Sequence, residues 1–181
     1  SSQIEARLSA YFAQETELLG IFRRGEDPYV FMACAIYGED YNTLLAAYKS
    51  NCPIAKLKRA VGKEAVLACG YGMGHAKFAS RALDQGITLS DDLDTHNALA
   101  KSTVEKYRKT NAKIVQMWYK CQKAVEDLIA GRETWLGGPE HNLAHFHWKD
   151  VFGEQVACVE LHGYTIHYPR LRYSMYEGRK Q

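Results

Sequence analysis

The apolar pattern of this chain changes period once, near Gly131, and that change bounds the fold more tightly than any single motif. Before it, hydrophobic residues return every three or four positions, the spacing of helices with one packed face. After it, short segments alternate apolar with polar residues and are rich in β-branched and aromatic types, as strands are. Ile4 to Ala13 is predicted helical, with Ile4, Leu8, Tyr11 and Phe12 as its apolar positions. A short amphipathic helix comes next, around Thr16 to Arg24, and ends at Gly25. Asp27-Pro28 opens another helix, with proline at a favourable first-turn position; it runs through Phe31, Met32 and Ala35 to Tyr37 and stops at Gly38. Thr43 to Tyr48 is a further short helix. Asn51-Cys52-Pro53 is a turn, and Pro53 begins a long helix that Gly72 and Gly74 break. His75 to Leu83 restarts the pattern and Gly86 ends it. Asp91 or Asp92 caps the next helical stretch. Asp94 to Lys109 and Ala112 to Ala130 are either two long helices or one bent near Asn111. Leu143 to Lys149, Gln155 to Leu161 and Tyr164 to Tyr168 read as strands, with turns at Asp150 to Gly153 and His162-Gly163. The fold class expected is mainly α, helices followed by a short C-terminal antiparallel β ribbon.

With 181 residues and a net charge of +2, the chain has enough mass for one globular domain with a real core, and its total charge selects no class of partner. The distribution says more. Between Lys101 and Lys123 lie Lys101, Lys106, Arg108, Lys109, Lys113, Lys120 and Lys123, opposed by Glu105. Such a stripe either meets a phosphate backbone or is a solvated helix face. Cys34, Cys52, Cys69, Cys121 and Cys158 are odd in number, widely spread and without a C-x-x-C. That argues against a disulfide framework and for a reducing compartment, with Cys34 and Cys69 as core fillers. No run is long and apolar enough to span a membrane, and no signal peptide is evident. A cytoplasmic chain with no membrane partner is expected.

The long helix carries the chemistry. In KLKRAVGKEAVLACGYGMG, Lys56 to Gly74, about 100° per residue places Arg59, Lys63, Leu67 and Gly70 within one arc. Tyr71 lies at its edge, and Leu57, Val61, Ala65, Ala68 and Cys69 collect opposite. Two cations one turn apart suit a polyphosphate: arginine offers a planar fork, and lysine a compact charge that can also give up a proton. The plain alternative is a solvated helix face. The GYGMG run is not a dinucleotide loop, because its spacing is wrong and no strand precedes it.

The order R-x3-K-x7-Y-G, over Arg59, Lys63, Tyr71 and Gly72, resembles motif B of the family A DNA polymerases, the fingers helix that receives the incoming nucleotide. Ser2-Gln3-Ile4-Glu5-Ala6-Arg7 looks like the end of that family's motif A. The stretch LSAYFAQETELLGIFRRGEDPYVFMACAIYG is similar to the segment linking the two motifs, and its RRGEDPY resembles the bacteriophage branch. The resemblance covers most of residues 1–130 and continues more weakly to about Tyr173. It implies a helical fingers region over 1–130, with the end of motif A and motif B, and a β-rich, palm-proximal segment over 131–181. It implies a nucleotidyltransferase, a DNA-directed DNA polymerase of replication, using Mg2+, template-primer DNA and deoxynucleotide triphosphates. The metal-binding Asp of motif A would precede Ser1, and the His-Asp-Glu of motif C would come after Gln181. Phosphoryl transfer relies on metal ions bridging the attacking and leaving oxygens. These 181 residues are therefore expected to be an inactive fragment of the parent enzyme and to bind no cofactor alone.

By that resemblance, Arg59 binds the triphosphate, and Lys63 neutralises it and protonates the leaving pyrophosphate. Tyr71, with Gly72 behind it, stacks near the nascent base pair and touches DNA. Glu5 lies under the sugar and excludes a 2′-hydroxyl, with Gln3 beside it. The two also suit a plain helix-entry pair satisfying free backbone donors. The backbone carbonyl of Ser1 matches a metal ligand. Leu67 stands where the family often has an aromatic residue, which implies altered tolerance for dideoxynucleotides. Tyr29 stands where bacterial members have a triphosphate-binding histidine, and its hydroxyl can hydrogen-bond phosphate without adding charge. Lys101, Arg108 and Lys109 of the basic stripe are the DNA-binding candidates.

Two other classes of function stay open. One is a non-catalytic helical nucleic-acid-binding module. The other is a zinc-dependent domain built on His141, His145, His147, His162 and His167. An H-x3-H pair on a helix holds zinc, but this region reads as strands and loop, where His145 and His147 share one strand face instead.

Overall fold

The computed structural model describes residues 3–137, 143–172, 175–176 and 179–180. Two compact units divide after Gln116, inside a helix: Ser1–Gln116 and Met117–Gln181. The fold is mainly α, with a small antiparallel sheet toward the C-terminus.

The first unit is helical. Its elements are α1 (Ile4–Ala13), α2 (Thr16–Arg23), α3 (Pro28–Tyr37), α4 (Tyr41–Lys49), α5 (Pro53–Glu64), α6 (His75–Asp84) and α7 (Leu93–Thr110); α8 (Ala112–Ile129) begins in it. Side-chain caps start three of them. Asp27 accepts from the backbone N–H groups of Tyr29 and Val30, with Pro28 in the first turn; Asp40 accepts from Thr43 and Asp92 from Thr95. Each satisfies a donor that a helix N-terminus leaves free. Asn111 separates α7 from α8, its buried side-chain amide bonded to the Tyr107 carbonyl. The start of α8 is capped from a distance: the buried Glu15 carboxylate accepts the Lys113 backbone N–H at 2.9 Å.

Two expectations are corrected. In α1 the buried positions are Ala6 and Ala10, while Ile4, Leu8 and Tyr11 are exposed. Both stripes have helical spacing, so period alone cannot choose between them; the small residues win because they let the helix approach its neighbours closely. The long helix also does not run unbroken to Gly72. It is α-helical to Glu64 and becomes a π-helical turn over Ala65–Cys69. Bonding from i to i+5 adds a residue to that turn, so the 100° projection fails beyond Glu64.

Helices α3 and α5 cross at close range. A Cβ on Gly62 would meet the Tyr29 carbonyl oxygen at 2.2 Å and the Ala33 nitrogen at 2.9 Å. Only glycine allows the two backbones so near each other. Val30 and Ala33 of α3 then pack with Leu44 and Ala55.

In the second unit, β1 (Thr134–Leu136), β2 (Ala144–Val151), β3 (Glu154–Leu161) and β4 (Tyr164–Tyr168) form one antiparallel sheet in that order; β5 (Met175–Tyr176) pairs with β6 (Arg179–Lys180). The turns joining β2 to β3 and β3 to β4 are Phe152-Gly153 and His162-Gly163, all four residues at positive φ, as tight hairpins require. One sheet face, with Ala144, Phe146, Ala157 and Val159, packs against Ala124 and Leu128 of α8. Trp148 fixes that packing by donating its indole N–H to the Leu128 carbonyl at 2.7 Å. Strand β1 escapes sequence reading because three residues show too little alternation to register. Among the described residues no helix is long and apolar enough to cross a membrane.

Candidate functional site

Arg59 is held rather than loose. It lies on α5, and its Nε donates to Asp27 Oδ2 at 2.8 Å across the α3–α5 crossing that Gly62 permits. The guanidinium also sits 4.7 Å from the Tyr48 ring centre and 5.2 Å from that of Tyr29. Both rings contribute cation–π attraction. The Arg59 side chain is 23% exposed. Asp27 thus does two tasks, capping α3 and orienting Arg59. Its second task is invisible in the sequence, because Asp27 and Arg59 are 32 positions apart.

Lys63, one turn on, is exposed and forms no ion pair among the described residues. Its neighbour Glu64 is buried and paired with Arg81 of α6. Of the two cations, Arg59 is therefore committed to a carboxylate and Lys63 is not.

Beyond the π-helical turn, Gly70 packs where a Cβ would meet the Val66 carbonyl oxygen at 2.7 Å. Gly72 adopts φ +77°, so the chain turns there at no steric cost. Tyr71 is 72% exposed. The neighbouring Glu5 carboxylate raises its phenol above the ordinary pKa. Glu5, Ser9, Leu67, Gly70, Tyr71 and Tyr107 line one small cleft. The fold thus joins residues 66 positions apart, Glu5 from α1 and Tyr71 from the end of the α5 segment.

The remaining candidates divide. Leu67 is half-buried in the cleft wall. Gln3 makes no cap hydrogen bond, contrary to the helix-entry alternative, and its side-chain oxygen takes a long 3.4 Å bond from Arg7. Tyr29 is 3% exposed, so its ring supports Arg59 instead of presenting a hydroxyl at the surface. Ser1 and His141 lie outside the described residues.

The basic stripe is only partly available. Lys106 donates to the Ile36 carbonyl, Lys113 to the Gln14 carbonyl, and Lys123 pairs with Asp127. Lys101, Arg108 and Lys109 of α7 are exposed. Arg108 is close enough to the buried Cys69 to oppose the burial that pushes this thiol up to about 12. Its charge therefore lies near the end of the π-helical turn. All five cysteines are free thiols, and Cys69 is a core filler as expected, whereas Cys34 is half-buried.

Two curated relatives named DNA polymerase I, from Helicobacter pylori strains J99 and 26695, are similar to this chain, at 33% and 32% identity over 108 residues. Those residues are 60% of this chain and 9% of each relative, so the chain spans a small part of the proteins it matches. No family model matches the chain, and no solved structure matches it significantly. The similarity supports a DNA polymerase I-like family and a DNA polymerase-related function.

Proposed function

We propose that this chain is the fingers region of a family A DNA polymerase of the bacteriophage branch, binding the triphosphate of an incoming deoxynucleotide beside template-primer DNA. In that reading residues 1–130 form the fingers and 131–181 the palm-proximal segment. One observation carries the proposal: Glu5, from the stretch resembling motif A, lines one cleft with Tyr71, from the stretch resembling motif B, at the end of the segment that bears Arg59 and Lys63.

The chemistry rests on how each group is held. Asp27 occupies Nε of Arg59, and the two tyrosine rings hold the guanidinium plane. The terminal nitrogens remain for phosphate oxygens, and because the fork is already fixed, little entropy is lost on binding. Lys63 adds a mobile ammonium that neutralises the same oxygens and donates a proton to the departing pyrophosphate. The Glu5–Tyr71 pair forms a wall of the cleft where a sugar sits. Lys101, Arg108 and Lys109 meet the DNA backbone. Among the described residues this cleft offers magnesium one carboxylate, Glu5. The cleft by itself does not fit the ion.

The test is calorimetric titration of the chain with a deoxynucleotide triphosphate and Mg2+. Arg59→Ala and Lys63→Ala are each expected to weaken binding at least about tenfold, the loss of one charge-assisted contact. Unchanged affinity in both variants overturns the assignment. For DNA, Arg108→Ala is expected to lower the salt slope of binding by about 1.

A further inference from the structure

The sheet of the second unit has a face that α8 does not cover. Along β2 the residues on it are His145 and His147; opposite them on β3 are Glu160 and Cys158, and opposite His145 on β1 is Trp135. The alternation of strand side chains puts all of these on one side. Trp135 stacks on His145 with ring centres 3.6 Å apart and an interplanar angle of 5°, and His145 stacks on His147 at 4.4 Å. The two imidazoles are therefore fixed in orientation and aimed alike.

Their nitrogens are placed as a ligand set would place them. His147 Nε2 lies 3.3 Å from Glu160 Oε1, and His145 Nδ1 lies 4.0 Å from Glu160 Oε2. On the far side of each ring is an oxygen: the Trp148 carbonyl 3.3 Å from His147 Nδ1, and the Glu133 carboxylate 3.5 Å from His145 Nε2. The Trp148 carbonyl is the kind of outer partner that metal-bound histidines keep, one that fixes the tautomer and raises the basicity of the ligating nitrogen, whereas Glu133 lies near His145 Nε2 without a hydrogen bond to it. With Nδ1–H of His147 directed at a carbonyl, a neutral ring turns an acceptor, Nε2, toward a carboxylate. Two acceptors at 3.3 Å repel unless a cation lies between them. Nor does an ordinary hydrogen bond relieve this, because the buried Nε2 of His147 has no hydrogen-bond partner among the described residues. Such unpaired buried groups are uncommon and require a cause.

We propose that His145, His147 and Glu160 bind a divalent transition-metal ion of the zinc type. One ligand atom from each of the three lies within 4.8 Å of the others. Metal–nitrogen and metal–oxygen bonds of about 2.0–2.2 Å give a tetrahedral edge of roughly 3.3–3.6 Å, and the His147–Glu160 separation already matches it. Imidazole with carboxylate suits zinc, nickel or cobalt and not magnesium. Three protein ligands leave the fourth tetrahedral position to water. The ion clips β2 to β3 on the face opposite the α8 packing. The H-x3-H spacing of His141 and His145 is not what builds this site; the alternation of β2 and its pairing with β3 are.

The test uses the full chain. Co2+ is expected to give the intense visible absorption of a four-coordinate site and to be displaced by Zn2+ at one equivalent, while Mg2+ displaces nothing. His147→Gln and Glu160→Gln are expected to weaken Zn2+ binding at least about a hundredfold, the upper range for losing even an outer partner. His75→Gln, far along the sequence on α6, is expected to change nothing. Long-range proton–nitrogen spectra of the unmutated chain keep the test decisive even where a variant fails to fold: Zn2+ must move the nitrogen resonances of His145 and His147. If Zn2+ moves neither, or if the spectra show His147 simply protonated against Glu160 with the metal bound elsewhere, the proposal fails. Neither result bears on triphosphate binding by Arg59 and Lys63.

Discussion

His96 in the helical unit and His147 in the sheet unit are both shielded imidazoles, and their surroundings treat them in opposite ways. His96 is 1% exposed and satisfied twice: Leu89 N–H donates to its Nδ1 at 3.3 Å, and its Nε2–H donates to the Ala79 carbonyl at 3.1 Å. It ties the loop before α7 to α6 and has no capacity left. His147 has one nitrogen directed at a carbonyl and the other left facing a carboxylate. The helical unit gives partners to its shielded charges, as buried Glu64 with Arg81, half-buried Asp27 with Arg59, and buried Glu15 with the start of α8 also show. The sheet unit leaves two nitrogens over. The contrast teaches that a buried histidine is read by what its second nitrogen does, not by its neighbours in sequence.

Four experiments break or sharpen that contrast, beginning with the largest effect. Gly62→Ala forces a methyl group into the backbone of α3, and overpacking against main chain is expected to cost about 3 kcal/mol in chemical denaturation. A smaller loss would mean that the α3–α5 crossing relaxes and that Arg59 is not rigidly held. Next, His96→Leu leaves a buried N–H and a buried carbonyl without partners, an expected loss of about 2 kcal/mol. Zinc must not alter that loss, whereas any stability that zinc adds to the unmutated chain must vanish in His147→Gln. A result in which the two histidines behave alike removes the distinction. Third, Asp27→Ala removes the α3 cap at about 1 kcal/mol and frees Arg59, while Asp27→Asn keeps the cap and removes the ion pair. Comparing triphosphate affinity in the two separates orientation of Arg59 from stability of α3.

Acid gives the smallest and most diffuse effect. Thr43 holds the Asp40 carboxyl below its ordinary pKa through its backbone N–H and then its hydroxyl; Thr95 does the same for Asp92 through its hydroxyl and then its N–H. Their lowered folded values mean that the stability they add is full above the ordinary carboxylate range and is lost as pH falls through the lowered values. Helix content measured by circular dichroism is therefore expected to hold above about pH 5 and to decline below about pH 4. Asp92→Ala must remove part of that decline.

Much of the architecture was legible because its causes are local. Pro28 after Asp27, Gly38, Gly86 and Asp92 set helix ends through backbone sterics and capping, which act within four residues. The strands β2, β3 and β4 announced themselves by alternation. Failures came where two local patterns tied or where a contact ran long-range. Ile4, Leu8 and Tyr11 had a helical period, but so did Ala6 and Ala10. The π-helical turn over Ala65–Cys69 has no composition that marks it. Of the candidate site, the outward charge of Lys63 was visible from spacing, while the partners of Arg59 were not.

The order of residues determined which segments become helix or strand, and that Arg59 and Lys63 stand a turn apart on one of them. Only the tertiary structure decided that Asp27 binds the first of those cations while no described carboxylate pairs with the second, that Glu5 reaches Tyr71, and that His147 faces Glu160. The physical reason is range. Propensity, capping and turn sterics act on the nearest few residues, whereas charge pairing and polar satisfaction depend on which surfaces packing brings within about 3 Å of each other.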